Sequence, residues 1–402
     1  MDSMPDRPGN LVVLKFGGTC LADAEGRASA ARHCAEEAIG GRRIVVVVSA
    51  MGRKGDAYAT DTLFGLVEAP MPDEKACLLA CGEVIAASVM ADTIRSAGLS
   101  VAALTGWSAG LLTDGPHCDT GIASIDPGRI LEALDGNDCV VVAGFQGLGT
   151  DGGVSVLGRG GSDITAAALA VALGADSMVL YKTVDSVYTA DPLRVPGALK
   201  VERISAEDLR QMAWQGAEVV HPRASEIAAE AGIPIEIRAH GTGRRVTTVE
   251  PFILRSGRYI AGVASGPAVA QFTVRAGGDE PMHAFYGRVF GLVAGAGVSM
   301  DMFSVVGGLA MFTVPVADRL LVASVLDGAG FSHSIVGDCT KVSIVGAGMH
   351  GLKGVMARFA SALDSAGIDM LQTVDSHATI SALVPISSRD EALRTLHREF
   401  VE

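Results

Sequence analysis

Lys15-Phe16-Gly17-Gly18-Thr19 closes the first apolar run of this chain, and Gly158-Arg159-Gly160-Gly161-Ser162-Asp163 opens a later one. Each joins glycines to a cation, and together they describe a phosphate site. Leu11 to Leu14 reads as a buried strand, after which Gly17 and Gly18 let backbone N–H groups approach an anion while Lys15 supplies a point charge. Ser162 is expected to cap a helix over Ile164–Leu173, whose free N–H groups would face the same anion. A lone Gly-Gly after a strand is only a tight turn. Two such elements, each with its own cation, favour the anion.

The elements that must hold these residues alternate in period. From residue 11 to about 240, apolar strands alternate with helical stretches, the pattern of a parallel sheet covered on both faces. The strands are Leu11–Phe16, Arg43–Ser49, Ser100–Thr105, Cys139–Ala143, Ser177–Leu180 and Ile233–Arg238, with helices such as Gly26–Ala38, Lys75–Ala97 and Ala206–Gln215 between them. Between His240 and Arg258 the periodicity lapses, which places a boundary there and gives domains of residues 9–245 and 259–402. Beyond it, Gln271–Arg275, Met282–Ala296, Ser299–Val305, Leu309–Val314 and Arg319–Ala329 run strand, helix, strand, strand, helix. Lys341–Val345, Val355–Ala366, Asp369–Val374, Thr379–Val384 and Arg389–Phe400 repeat that order, so two copies of one small α/β unit are expected. Val306-Gly307-Gly308 reads either as a ligand-side loop or as a hairpin turn.

Composition bounds the function. The 402 residues are 49% hydrophobic and 19% charged, enough for two domains with substantial cores. No apolar run approaches a membrane span, and Met1 to Asn10 lack the features of a signal peptide. Seven cysteines, at 20, 34, 77, 81, 118, 139 and 339, form neither a Cys-x-x-Cys pair nor a disulfide framework, so reduced thiols in the cytoplasm are expected. A net charge of −13 argues against nucleic acid or an anionic membrane as partner. His117, His221 and His350 have no metal-ligand spacing, and no protein-held metal is expected. Trp107 reads as packing. Gly346-Ala347-Gly348-Met349-His350-Gly351 is a literal dinucleotide fingerprint, but too little chain follows it for the second half of such a sheet. Gly147-Leu148-Gly149-Thr150-Asp151-Gly152 is another, followed by β-like Val154–Leu157 instead of a helix.

The two glycine motifs stand in series with Val46-Val47-Val48-Ser49-Ala50-Met51-Gly52, Cys81-Gly82-Glu83, Ala143-Gly144-Phe145-Gln146-Gly147 and Val187-Tyr188-Thr189-Ala190-Asp191-Pro192. In this order they resemble the aspartokinases, within the amino acid kinase family, over nearly the whole chain. Gly52 to Asp61 and Leu371 to His377 resemble the diaminopimelate-sensitive type of Gram-positive bacteria. The resemblance implies a three-layer αβα sandwich with a mainly parallel sheet, followed by tandem ACT modules of ferredoxin-like βαββαβ topology. It also implies a homodimer and an amino-acid effector at the ACT modules.

The activity it implies is transfer of a phosphoryl group from ATP, with Mg2+, to L-aspartate or a similar amino acid. Such a transfer brings two anions together, so cations and N–H groups should converge. By resemblance Lys15, Asp163 and Arg159 are catalytic, and Ser49, Thr60, Glu83 and Arg159 bind the acceptor. Arg159 would fork onto a carboxylate while Glu83 accepts from an α-ammonium. By the same resemblance Lys15, Gly17, Gly18, Thr19, Lys182, Thr183, Asp185, Tyr188, Asp191 and Glu218 are expected to surround the nucleotide.

Departures from the family pattern gather on the nucleotide side. Lys182-Thr183-Val184-Asp185-Ser186 replaces Thr-Asp-Val-Asp-Gly, and Leu193 replaces an arginine. Glu218 replaces the lysine of Gly-Ala-Lys-Val, and Cys20 a serine. A charge reversal beside a triphosphate costs roughly several kcal/mol at intermediate dielectric, unless Lys182 supplies the missing cation. Three readings stay open at this point: an aspartate kinase, a divergent kinase acting on another carboxylate, and a non-catalytic amino-acid sensor.

Overall fold

The structure is a computed structural model that describes residues 10–184, 186–217, 219–251, 260–277, 281–347, 349 and 352–402. Along the chain the first elements are β1 (Leu11–Phe16), α1 (Ala24–Ile39), β2 (Arg43–Val48), α2 (Thr60–Phe64), α3 (Pro72–Ser96), β3 (Val101–Leu104), β4 (Leu111–Thr113), β5 (Ile122–Ile125) and α4 (Gly128–Asp135). They are followed by β6 (Cys139–Ala143), β7 (Gln146–Leu148), β8 (Val154–Val156), α5 (Gly161–Ala172), β9 (Ser177–Lys182), β10 (Arg203–Ser205), α6 (Ala206–Trp214), α7 (Pro222–Glu230), β11 (Ile235–Ala239) and β12 (Arg245–Glu250).

Eight strands form one sheet in the order β10-β12-β11-β9-β1-β2-β6-β3. From β11 to β3 every pairing is parallel; β12 pairs antiparallel to β11, and β10 pairs parallel to β12, so these two strands run opposite to the rest. The apolar runs of β1, β2 and β6 explain this arrangement. Every residue of β1 and β6 is buried, as a strand covered on both faces requires. Val12, Leu14, Phe16, Val46 and Val48 pack against Ala30, Ala31 and Cys34 of α1 and Ala87, Met90 and Ile94 of α3. On the other side α5 packs against β1, β2 and β9, with α7 beside it. A small sheet in the order β5-β4-β7-β8 packs on α3 through β8, where Trp107 joins the apolar cluster of Ala76, Leu79, Ala80 and Val156.

Three expectations are corrected here. Ser162 is not the cap of α5: the helix begins at Gly161, and the cap is Gly160, in a left-handed conformation at φ 71° with no side-chain bond. The lapse after His240 hides a strand, since β12 pairs with β11 and carries the first sheet to Glu250. Finally, α3 is long and apolar enough to cross a membrane by length and composition alone. Its buried residues Ala76, Leu79, Ala80, Glu83, Ala87, Met90 and Ile94 form one helical stripe, so it is a core helix of the domain.

The second compact unit consists of Tyr188–Leu199, Gln211–Glu218 and the chain from residue 255 onward. It contains β13 (Gly262–Arg275), α8 (Met282–Gly295), β14 (Asp301–Val306), β15 (Leu309–Pro315), α9 (Arg319–Gly328), β16 (Ser332–Val345), α10 (Val355–Ser365), β17 (Gln372–Asp375), β18 (Thr379–Pro385) and α11 (Arg389–Phe400). Its antiparallel sheet runs β14-β15-β13-β16-β18-β17, so the two expected α/β repeats share the long central strands β13 and β16. Each repeat has its own core, one around Phe272, Phe285 and Phe312 and the other around Phe359, Leu363 and Leu393. Gly307 and Gly308, at φ 52° and 82°, form the two-residue turn between β14 and β15 and resolve that segment as a hairpin.

The second core includes Ala190 and Val195 from the excursion Tyr188–Leu199. Thr189 anchors that excursion: its N–H donates to Leu199 O and its carbonyl accepts from Val263 N–H, at 2.9 and 2.7 Å. Its hydroxyl stands 2.8 Å from Nε2 of the fully buried His397 of α11. Arg194 adds a 2.8 Å pair to Asp390.

Candidate active site

In open α/β sheets ligands bind beyond the carboxyl ends of the strands, where the strand order reverses. That point lies at β1 here, because the chain proceeds outward through β2 on one side and returns to β9 on the other. Lys15 stands at the end of β1 and Lys182 at the end of β9. Asp163, in the first turn of α5, reaches both: Oδ1 is 2.6 Å from Lys15 Nζ and Oδ2 is 3.1 Å from Lys182 Nζ. The exposed fractions of the three side chains are 7% for Lys15, 8% for Asp163 and 20% for Lys182. Burial alone would push the Asp163 carboxyl up, but the two ammonium groups hold it far below the usual carboxylate range. Lys182 is pulled the other way: burial and the Lys15 charge hold its ammonium below the ordinary lysine value, against the attraction of Asp163.

Glycines bring the surrounding backbone close. A Cβ on Gly18 would lie 2.3 Å from the Ala50 carbonyl oxygen, so only glycine permits this turn to meet the loop after β2. That contact is fastened by Gly52 N–H donating to Gly18 O at 2.8 Å. At the opposite motif, a Cβ on Gly160 would overlap the His221 ring, at 2.3 Å from its Cδ2. Gly160 thus needs both its positive φ and its missing side chain, and it delivers Asp163 to the lysines.

Glu83 lies on the buried stripe of α3, 2% exposed. Its Oε1 accepts from Ala50 N–H at 2.9 Å, while Oε2 is buried without a hydrogen-bond partner among the described residues. Burial pushes this carboxyl up to about 8, only partly opposed by the Ala50 N–H and the Lys15 charge. A buried carboxyl with one orphaned oxygen suits an incoming hydrogen-bond donor, which would favour its ionised form. Ser49, half-buried, follows β2 in the same loop, and half-buried Thr60 opens α2. Arg159 is exposed and makes no ion pair with a described residue.

The expected nucleotide residues divide into groups. Gly17, Gly18 and Thr19 form the turn after Lys15, and Thr183 is exposed just past Lys182. Asp185 and Glu218 lie outside the described residues, as does His350. Tyr188 and Asp191 belong to the second unit, where Asp191 accepts from Leu193 N–H at 2.9 Å and pairs with Arg194 at 3.2 Å. Leu193 itself is 93% exposed. Cys20, noted above as a departure, has its thiol raised by burial and donates it to Tyr181 O at 3.5 Å beside the lysines. One contributor was not anticipated, the Ala50 N–H that holds Glu83. Nothing in the sequence marked the Ala50 amide.

A covered parallel sheet with lysines at its switch point and a paired α/β module after it defines an amino acid kinase with a regulatory region. Residues 10–239 match the amino acid kinase family, and residues 334–398 match the ACT domain. Aspartokinase 1 of Bacillus subtilis is 39% identical over 400 residues, covering 97% of this chain and 98% of that one. The aspartokinase of Mycolicibacterium smegmatis is 37% identical over 97% of this chain and 96% of its own length. The chain belongs to the aspartokinase family. Among solved structures, Clostridium acetobutylicum aspartate kinase superposes with a TM-score of 0.79 at 18% identity, covering 97% of this chain and all of that one. E. coli aspartokinase III in complex with aspartate and ADP gives 0.76 at 22%, covering 98% and 100%. These two likenesses establish the fold.

Proposed function

We propose that this protein is an aspartate kinase, transferring the γ-phosphoryl group of ATP to the β-carboxylate of L-aspartate to give 4-phospho-L-aspartate and ADP, under feedback by an amino acid. The observation that carries this reading is the Lys15–Asp163–Lys182 cluster at the sheet's switch point. A carboxylate acceptor is already ionised, so the reaction needs charge neutralisation and no general base. The cluster matches that need. Asp163 is committed to two lysines and held ionised, so it organises cations and takes no proton.

The acceptor carboxylate oxygen attacks phosphorus, the bond from phosphorus to the bridging oxygen breaks, and ADP leaves with that electron pair. Lys15 and the amides of Gly17 and Gly18 stabilise the transferring group. Glu83 receives the α-ammonium of aspartate on its orphaned Oε2, and Arg159, which has no ion pair with a described residue, forks onto a carboxylate of the substrate. Ser49 and Thr60 line the acceptor side. Thr19, Thr183, Asp185, Tyr188, Asp191 and Glu218 are assigned to the nucleotide side on the family pattern.

Magnesium, when bound, would neutralise phosphate charge. No group of three or more His, Cys, Asp or Glu among the described residues could hold a metal ion, and Asp163 already serves two lysines. These residues suit a magnesium that arrives on the triphosphate, which keeps most of its ligands as water and phosphate.

The first unit, whose sheet runs on to Glu250, is assigned to catalysis and residues 259–402 to regulation, with Tyr188–Leu199 and Gln211–Glu218 belonging to the second unit. An amino-acid effector at the ACT modules is consistent with a related solved structure, E. coli aspartokinase III in complex with lysine and aspartate. Phe303 and Val306 on edge strand β14, 66% and 62% exposed, favour pairing of two copies as a homodimer. The free cysteines are consistent with a cytoplasmic enzyme.

The test is ATP turnover with L-aspartate, trapping the acyl phosphate as a hydroxamate. Hydroxamate formation that requires aspartate and disappears in Lys15→Ala is expected. ATP and aspartate binding without hydroxamate would replace the kinase by an amino-acid sensor, and turnover only with another carboxylate would reassign the acceptor.

A further inference from the structure

Asp163 holds more positive charge than it can balance. Each of its oxygens meets a different lysine, and neither lysine has another ion pair with a described residue. Glu83, the other carboxyl beside Lys15, is pushed up to about 8 by burial and so offers the lysines little counter-charge. The cluster therefore carries a surplus cation at the end of the sheet. A structural role would call for one lysine, since a second buried ammonium adds desolvation and repulsion from the first. Such a surplus is stabilised when an anion arrives.

The two lysines are not equivalent. Lys15 is nearer to Asp163, at 2.6 against 3.1 Å, and is more deeply buried, at 7% against 20% exposed. Lys182 is also the last residue of its strand, with exposed Thr183 and Val184 beyond it. Lys15 is thus the fixed member and Lys182 the one able to turn toward a ligand.

Building on the aspartate kinase reading, we propose that Lys182 is a second phosphate-binding cation, whose ammonium transfers from Asp163 Oδ2 to the phosphate oxygens of the bound nucleoside triphosphate while Lys15 stays on Oδ1. Asp163 then acts as a holder that keeps both cations aimed at one place when the site is empty. The residue makes direct contact with the nucleotide in this account, and its contribution grows with the number of phosphates on the ligand.

The experiment uses the full chain and two variants, Lys182→Met and Lys182→Arg, with affinities for ATP, ADP, AMP and adenosine measured by calorimetry beside hydroxamate turnover. Lys182→Met is expected to weaken ATP roughly tenfold or more, ADP less, and adenosine by under about threefold, with Lys182→Arg recovering most of the ATP affinity. The KM for aspartate should stay within about threefold of the parent. Equal weakening of all four ligands would make Lys182 a packing residue and overturn the proposal, as would unchanged ATP affinity in a folded Lys182→Met protein. If Lys182→Met does not fold, Lys182→Gln takes its place, and an ATP-to-adenosine preference unchanged from the parent overturns the proposal. Failure of the kinase reading would show separately, as a parent protein that binds ATP and aspartate but forms no hydroxamate.

Discussion

Glu83 gives the sharpest quantitative expectation. Its carboxyl is raised from an ordinary 4.5 to about 8, chiefly by burial. Between those values the unfolded chain has lost the proton that the folded protein keeps, so stability falls as pH rises. Below about 4.5 both states are protonated and the effect vanishes; above about 8 both are ionised and it is complete. At 1.36 kcal/mol per unit, the full penalty is about 5 kcal/mol, and about 3–4 kcal/mol of it develops between pH 5 and 8. Glu83→Gln keeps an oxygen for the Ala50 N–H and cannot ionise, so it escapes the penalty. Urea unfolding of parent and variant without substrate, at intervals from pH 5 to 9, should show the variant gaining relative to the parent through pH 8 and then levelling off. A stability difference that stays flat over that range would refute the reasoning, because it would mean that Glu83 ionises in the folded protein as it does in water. The same variant should raise the KM for aspartate by roughly 10- to 100-fold, since a charge-assisted bond to the ammonium is lost.

Other expectations concern the lysine cluster, the glycine turn and the excursion. Asp163→Asn leaves two buried cations without their counter-charge and should cost about 3–5 kcal/mol of stability, seen as a lower denaturant midpoint. Gly18→Ala drives a methyl into the Ala50 carbonyl and should lower kcat/KM by roughly tenfold or more, read in the hydroxamate assay. Thr189→Val removes the hydroxyl that stands beside His397 and accepts from Leu199 N–H, which should destabilise the second unit by about 1–3 kcal/mol. Faster hydrogen exchange across α11 would report it.

The sequence was most legible where one residue type decides the structure. β1 and β6 were placed to the residue because uninterrupted apolar runs leave a buried parallel strand as the only short element that fits. A helix over Lys75–Ala97 was legible as an element, while the buried stripe that carries Glu83 inward comes from the structure. Short strands such as β5, Ile-Ala-Ser-Ile with its middle residues exposed, carry no such signal. The first half of β16, which includes Ser332, His333 and Asp338, is polar and becomes a strand only because β13 offers a partner. Within the site, the motifs named Lys15, Asp163 and Glu83, and Lys182 stood out as a departure. That Lys182 meets the same carboxylate as Lys15 was not legible, because the contact depends on β1 and β9 becoming neighbours and on the left-handed turn at Gly160.

The excursion Tyr188–Leu199 bears on how this protein can be taken apart. Its Ala190 and Val195 fill the second core, and its Thr189 meets the buried ring of His397, yet it is encoded inside the kinase stretch. A fragment cut at the obvious junction near residue 255 would therefore leave one core short of two apolar side chains and His397 Nε2 without the Thr189 hydroxyl, though its Nδ1 keeps Glu402 at 3.3 Å. Exchanging regulatory modules between relatives by a single crossover meets the same obstacle. The two halves of the sequence are separable on paper, but the second folding unit is completed by a stretch of chain encoded within the first half.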